Sequence, residues 1–144
     1  MKSFEQATKS TLAKYEATPL VMRWEEAIAF GEGIKADSYW IRDSKDLVNI
    51  VWLNSDGIRD ITLDTLSSES MFNFVPLKSI LTIEVRQQEN IAKQLLKVEG
   101  SYVVHVIVTG TGGDVWWVAE NEESRRRLNS FLTSVLGSYS QIIR

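Results

Sequence analysis

The sequence contains no cysteine, which excludes disulfides, thiolate nucleophiles, iron–sulfur clusters and zinc sites built on sulfur. It contains one histidine, His105, so the paired imidazoles common in catalytic metal sites are missing as well. Two prolines and eight glycines punctuate 144 residues. They sit mostly where an element should begin or end, and there is no Pro/Gly/Ser linker, repeat or low-complexity tract. No apolar run approaches the ~18 residues a membrane helix needs. The longest, Val103 to Val108, is interrupted by His105. The opening residues Met1 to Gln6 lack the apolar core of a signal peptide, so the expectation is a cytoplasmic protein without membrane insertion. Basic charge is not in excess either: 16 Lys and Arg against 19 Asp and Glu leave a net charge of −3. A surface of that sign is a poor nucleic-acid or anionic-lipid binder.

What is present is ordinary for a globular chain. Apolar residues are 44% and charged residues 24%, which supports a single domain spanning 1–144 with a core of its own. A domain of this size buries about two-thirds of the surface of its unfolded chain, so it needs no covalent staple.

The element pattern falls into three parts: a helical extension over 1–31, antiparallel strands over 34–119 and a closing helix over 121–137. Phe4, Ala7, Thr11, Leu12 and Tyr15 recur at helical spacing from about Ser3 to Glu16. Thr18 and Pro19 form a start signal for a second helix carrying Leu20, Trp24 and Ile28 and ending at Gly31. Val21 to Phe30 also reads as a strand. Tyr39 and Trp40 belong to a strand ending near Asp43. Leu47 to Asn54 (LVNIVWLN) is a strong strand, followed by a turn at Ser55, Asp56 and Gly57. Ile58 to Asp64 returns antiparallel, with a slip in alternation between Ile58 and Ile61 that predicts a bulge. Met71 to Val75 is a short strand stopped by Pro76. Ser79 to Arg86 puts Leu81, Ile83 and Val85 on one face and Thr82, Glu84 and Arg86 on a wet one. Gln87 to Glu99 has helical spacing at Ile91, Leu95 and Val98. Tyr102 to Thr109 and Asp114 to Ala119 form a hairpin around Gly110 to Gly113.

Asn121 caps the last helix, and Glu122 and Glu123 suit its positive end. Leu128, Phe131, Leu132, Val135 and Leu136 form its apolar stripe, and Gly137 is placed to stop it.

Seven antiparallel strands followed by one amphipathic helix make an α+β fold: a bent sheet or open barrel with a helix across its mouth. The passage Val75 to Val85, the hairpin Tyr102 to Ala119 and the helix opening Glu120 to Leu136 carry a resemblance to the pleckstrin-homology-like (PH-like) barrel. The resemblance covers the C-terminal three-quarters of the chain. It departs from the family pattern in two places. Phe131 stands where eukaryotic members usually carry a tryptophan in the closing helix. Lipid-binding members carry a basic signature around the first hairpin, whereas here Arg42 and Lys45 alternate with Asp43 and Asp46. The resemblance therefore implies the scaffold without its phosphoinositide site. The rival readings are a small acidic dimeric chaperone-like sandwich and an NTF2-type cone.

Candidate chemistry is sparse. His105 lies in line with Val103 and Ile107 and reads as a half-buried strand histidine, with no local serine or carboxylate spaced to work with it. The GTGG sequence at Gly110 to Gly113 feeds a strand, not a helix N-terminus, so it reads as a hairpin turn and not a phosphate loop. Arg125 to Arg127 reads as a solvated helix face paired with the neighbouring glutamates. Asp56, Asp60 and Asp64 read as turn and edge-strand solubility, too sparse for a calcium loop.

Five tryptophans are many for this length. Trp116 and Trp117 must face opposite sides of their strand, so one can be core while the other needs cover from elsewhere. The candidate partner- or ligand-binding residues are therefore Trp40, Trp116 and Trp117, with Arg42 and Lys45 of the first hairpin. No catalytic, cofactor or metal residue is expected. The resulting expectation is a non-catalytic module that binds a protein or peptide partner, with a homodimer as one form of that. The alternative is a small-molecule or lipid carrier, or an enzyme, using a pocket at the barrel mouth.

Overall fold

In a computed structural model, residues 3–15, 38–44, 47–54, 56–64, 67, 69–88, 101–108 and 114–142 are described. The second N-terminal helix expected over 18–31, the helical stretch at 89–99, Lys45 and the Gly110 to Gly113 turn lie outside them. The fold is α+β, with seven antiparallel strands in two sheets, an N-terminal helix and a C-terminal helix. The chain divides into two compact units, Met1–Phe74 and Val75–Arg144.

The first unit opens with helix α1, Phe4–Leu12, followed by a 3₁₀ turn, Ala13–Tyr15. The helix begins at Ser3 because Ser3 and Gln6 cap each other. The Gln6 N–H donates to Ser3 Oγ at 3.2 Å, and the Ser3 N–H donates to Gln6 Oε1 at 3.1 Å. This reciprocal pair satisfies two of the backbone donors that every helix start leaves open. The regular helix is shorter than the expected 3–16, because its last turn tightens into the 3₁₀ form, a common helix ending.

Strands β1 (Ser38–Asp43), β2 (Leu47–Asn54), β3 (Gly57–Asp64) and β4 (Glu69–Pro76) form a meander in that spatial order. Gly57 pairs with Asn54, so the tight connection is two residues long and Gly57 already belongs to β3. The expected bulge near Ile58 is not there: the β2–β3 register runs unbroken from Leu47–Asp64 to Asn54–Gly57. The slip in alternation has another cause. Ile58 and Ile61 point to opposite faces, and both are fully buried. A strand covered on both sides has no need to alternate polar with apolar.

Phe4 carries α1 onto one of these faces. Its ring sits 5.4 Å from Tyr39 and 5.3 Å from Trp52, in a cluster with Val48, Ile50, Ile61 and Leu63. The opposite face holds Trp40, Val51, Leu53 and Ile58, also buried, together with a short polar chain. Asn49 Nδ2 donates to Thr62 Oγ1 at 2.8 Å, and Thr62 Oγ1 donates to Asp60 Oδ1 at 3.2 Å. Asp60, read from the sequence as a solvated edge carboxylate, is 2% exposed on an interior strand. A carboxylate buried that deeply must be hydrogen-bonded, and the Thr62 hydroxyl contributes one such bond.

The second unit holds β5 (Ile80–Gln88), β6 (Ser101–Val108) and β7 (Val115–Ala119), a second antiparallel meander, and then helix α2 (Glu122–Ile142). Gln87 and Gln88, expected to begin a helix, complete β5 instead. The register between β5 and β6 shifts between Ile80 and Thr82, so Leu81 is an extra residue with no partner across the strands. That bulge removes Leu81 from the row of Ile83 and Val85 and leaves it 64% exposed.

Helix α2 covers one face of this sheet. Leu128, Phe131, Leu132 and Val135 are buried, and Phe131 meets Trp117 edge-on at 5.9 Å. The Tyr102 hydroxyl donates to Asn129 Oδ1 and ties β6 to the helix. Asn121 caps α2 through Oδ1, which accepts from the Ser124 N–H at 2.8 Å.

Two helix expectations need correction. Leu136 is 52% exposed, because it lies on the flank of the arc defined by positions 128, 131, 132 and 135. Gly137 does not stop the helix, which continues to Ile142. Glycine lowers helix stability by only about 1 kcal/mol relative to alanine, so one glycine does not by itself end a helix. Among the described residues, no helix is long and apolar enough to cross a membrane.

Candidate functional site

The sheet of the second unit has two unlike faces, and pairing tells them apart because directly opposed residues share a face. Val104 pairs with Val85 and Trp117, and Tyr102 pairs with Ala119; this is the face under α2. His105 pairs with Glu84 on one side and Trp116 on the other, which sets a single row across all three strands on the opposite face. Thr82 and Ile107 form the row on one side of it. Arg86, Val103 and Val118 form the row on the other.

At the centre of that face the imidazole of His105 and the indole of Trp116 lie parallel. Their ring centroids are 3.5 Å apart, with 6° between the planes. Trp116 is nevertheless 53% exposed, because His105 covers only its inner side. Each imidazole nitrogen has a carboxylate near it. Asp114 Oδ2 is 2.9 Å from Nε2, within hydrogen-bond reach, and Glu84 Oε2 is 3.6 Å from Nδ1. Arg86 stands 3.8 Å from the same Glu84 oxygen, too far for a hydrogen bond. The imidazole is thus largely covered, stacked on the indole and engaged at Nε2 by Asp114. Its geometric role is to fix the indole in place.

This convergence was not legible from local spacing. Asp114 lies nine residues from His105 and Glu84 lies twenty-one away. Only the registers of two strand pairs bring them to one ring. The alternation within Asp114, Val115, Trp116 and Trp117 was the usable signal, since it puts Asp114 and Trp116 on one face.

The other expected site residues are dispersed. Trp117 is 1% exposed, in the core beneath α2. Trp40 is 1% exposed and belongs to the first unit. Arg42, also in the first unit, is half-buried at the end of β1. Lys45 lies outside the described residues. Trp116 is therefore the one tryptophan among the described residues that offers a ring to solvent.

Two further surfaces carry charged side chains in contact. On the first unit, the Arg59 guanidinium lies 4.7 Å above the exposed ring of Phe74, oriented by two contacts from Asp56. The Arg59 hydrogen bond holds the Asp56 carboxyl below its usual range. On α2, Arg127 pairs with Glu123 at 2.8 Å and Arg125 approaches Glu122 at 3.6 Å, as on a solvated helix face. No group of three or more potential metal ligands occurs among the described residues. Comparison with known proteins finds no matching family model, no matching curated protein and no matching solved structure.

Proposed function

We propose that this chain is a non-catalytic interaction module on a PH-like scaffold, acting in the cytoplasm and binding a protein or peptide through the outer face of its β5–β7 sheet. The scaffold assignment is supported by chain order: a four-stranded antiparallel meander, a three-stranded one, then a helix packed on the second sheet. A sequence free of cysteine is compatible with a cytoplasmic setting.

One observation carries the binding role. The stack on His105 immobilises Trp116 and leaves half of it uncovered. Tryptophan is the residue type most enriched where interfaces concentrate their energy, and a side chain already held in place loses little entropy on docking. Half-buried Val103, Ile107 and Val118 extend the apolar surface around it. The largely covered imidazole favours this reading over an enzymatic one.

Panning a random peptide display library against the wild-type chain and against Trp116→Ala tests the proposal. Peptides should be enriched on the wild type and released by the variant, with both proteins giving the same far-ultraviolet circular dichroism. Enrichment indifferent to Trp116, or none at all, would overturn the reading.

A further inference from the structure

The ring that supports Trp116 belongs to the one histidine of the chain, the side chain that ordinarily exchanges a proton between pH 5 and 8. We infer that the stack is a proton-operated latch. With both nitrogens protonated, His105 bridges Asp114 and Glu84 and pins the indole; with one proton lost, it releases Glu84 and the indole loosens. The latch belongs to the free chain, and its effect on docking rests on the role just proposed.

The two nitrogens are unequally engaged. Nε2 lies 2.9 Å from Asp114 Oδ2. An ionised carboxylate can only accept, so Nε2 is the nitrogen that carries a proton in either state of the ring. Nδ1 lies 3.6 Å from Glu84 Oε2, just beyond hydrogen-bond reach. A neutral ring with its proton on Nε2 points a lone pair at that oxygen, and the two repel. A second proton, on Nδ1, turns the lone pair into a charged donor, and the gap can close. The same proton makes the stacked ring a cation against the electron-rich face of the indole, 3.5 Å away.

Strand order makes this contact matter to Trp116. In register, His105 stands between Glu84 of β5 and Trp116 of β7, and Asp114 is the residue immediately before β7. A ring bonded to Glu84 on one side and to Asp114 on the other cannot slide or turn beneath the indole. The charged groups that the described residues bring to this ring are Glu84 and Asp114, with Arg86 of β5 at 3.8 Å from the same Glu84 oxygen. The two carboxylates attract the second proton. Arg86 opposes it and draws on the oxygen that Nδ1 would use. Helix α2 lies on the other face of the sheet.

Nuclear magnetic resonance of the full chain tests the latch between pH 5.5 and 8, above the ordinary range of carboxylates. The His105 ring resonances report its proton, and the order parameter of the Trp116 indole N–H reports how firmly the indole is held. On acidification the order parameter should rise toward about 0.85, the value of a rigid group, in step with the His105 resonances. His105→Gln should abolish the rise. Glu84→Gln should cut its amplitude by about half or more, and Arg86→Gln should enlarge it. Circular dichroism establishes that each variant is folded.

A Trp116 order parameter that stays constant while His105 titrates would overturn the latch. So would a His105 ring that keeps one state across this range, a rise that survives in His105→Gln, or one of full amplitude in Glu84→Gln. For docking, peptides enriched through Trp116 should bind severalfold more tightly at pH 6 than at pH 8, because the indole is already immobilised, and His105→Gln should remove the difference. Equal affinity at the two pH values would overturn the regulatory role. Failure to enrich any Trp116-dependent peptide would overturn the docking reading and with it that regulation, while the order parameters still decide the latch.

Discussion

Trp116 and Trp117 are adjacent in the chain and opposite in environment. Trp116 is 53% exposed and lies flat on His105, whereas Trp117 is 1% exposed and meets the edge of Phe131. One strand thus supplies a core anchor and a surface platform from neighbouring positions.

The pair should separate cleanly in denaturation. Trp117→Ala removes a large buried side chain from between the sheet and α2 and should cost about 3–5 kcal/mol. Trp116→Ala loses one stacked contact and should cost less than about 1.5 kcal/mol. Urea unfolding followed by circular dichroism measures both. A larger loss at Trp116 than at Trp117 would contradict the assignment of faces.

Gly137 should be improvable. It lies inside α2 and is exposed, and a Cβ placed there meets nothing within 4 Å. Gly137→Ala should raise stability by about 0.5–1 kcal/mol, because alanine loses less backbone entropy in a helix. A decrease in the urea midpoint would show that the helix stops at this residue after all.

Asn121 should matter through its side-chain oxygen alone. Asn121→Ala leaves the Ser124 N–H without its partner and should cost about 1 kcal/mol, whereas Asn121→Asp should be close to neutral. Thermal unfolding of the two variants beside the wild type distinguishes capping from any other role of the amide.

Tyr102 should make the protein sensitive to alkali. Burial pushes its hydroxyl above the ordinary value near 10, against the opposing pull of the Arg125 charge. The folded chain then keeps a proton that the unfolded chain has already lost. The stabilisation is complete below the unfolded value and disappears as pH rises through the folded one. Tyrosinate absorbance of the wild type minus that of Tyr102→Phe should show a midpoint above 10. Stability should fall more steeply with alkaline pH in the wild type than in the variant. Matching slopes would remove Tyr102 from this role.

Much of the fold was readable because its signals are local. The apolar density of LVNIVWLN, the turn after Asn54 and the cap at Asn121 each act over a few residues. The α1 capping box was equally local and could have been read from Ser3 and Gln6. Other features depend on what lies across from a residue. Ile58 and Ile61 suggested a bulge because the sequence does not say that both faces of β3 are covered. The true bulge at Leu81 sits in a strand whose alternation looked perfect, and only pairing with β6 exposes it. Asp60 resembled its exposed neighbours in the sequence and is buried because β3 is interior.

By itself, the sequence determined the α+β class, the order of the seven strands and of the two described helices around them, and the certainty that Trp116 and Trp117 face opposite ways, because backbone geometry alternates side chains with no help from the rest of the chain. The tertiary structure alone decided which of the two is covered, and that Glu84, His105, Asp114 and Trp116 meet. Register between strands is set by long-range pairing and by the packing of α2, and neither is encoded in the spacing of the residues it brings together.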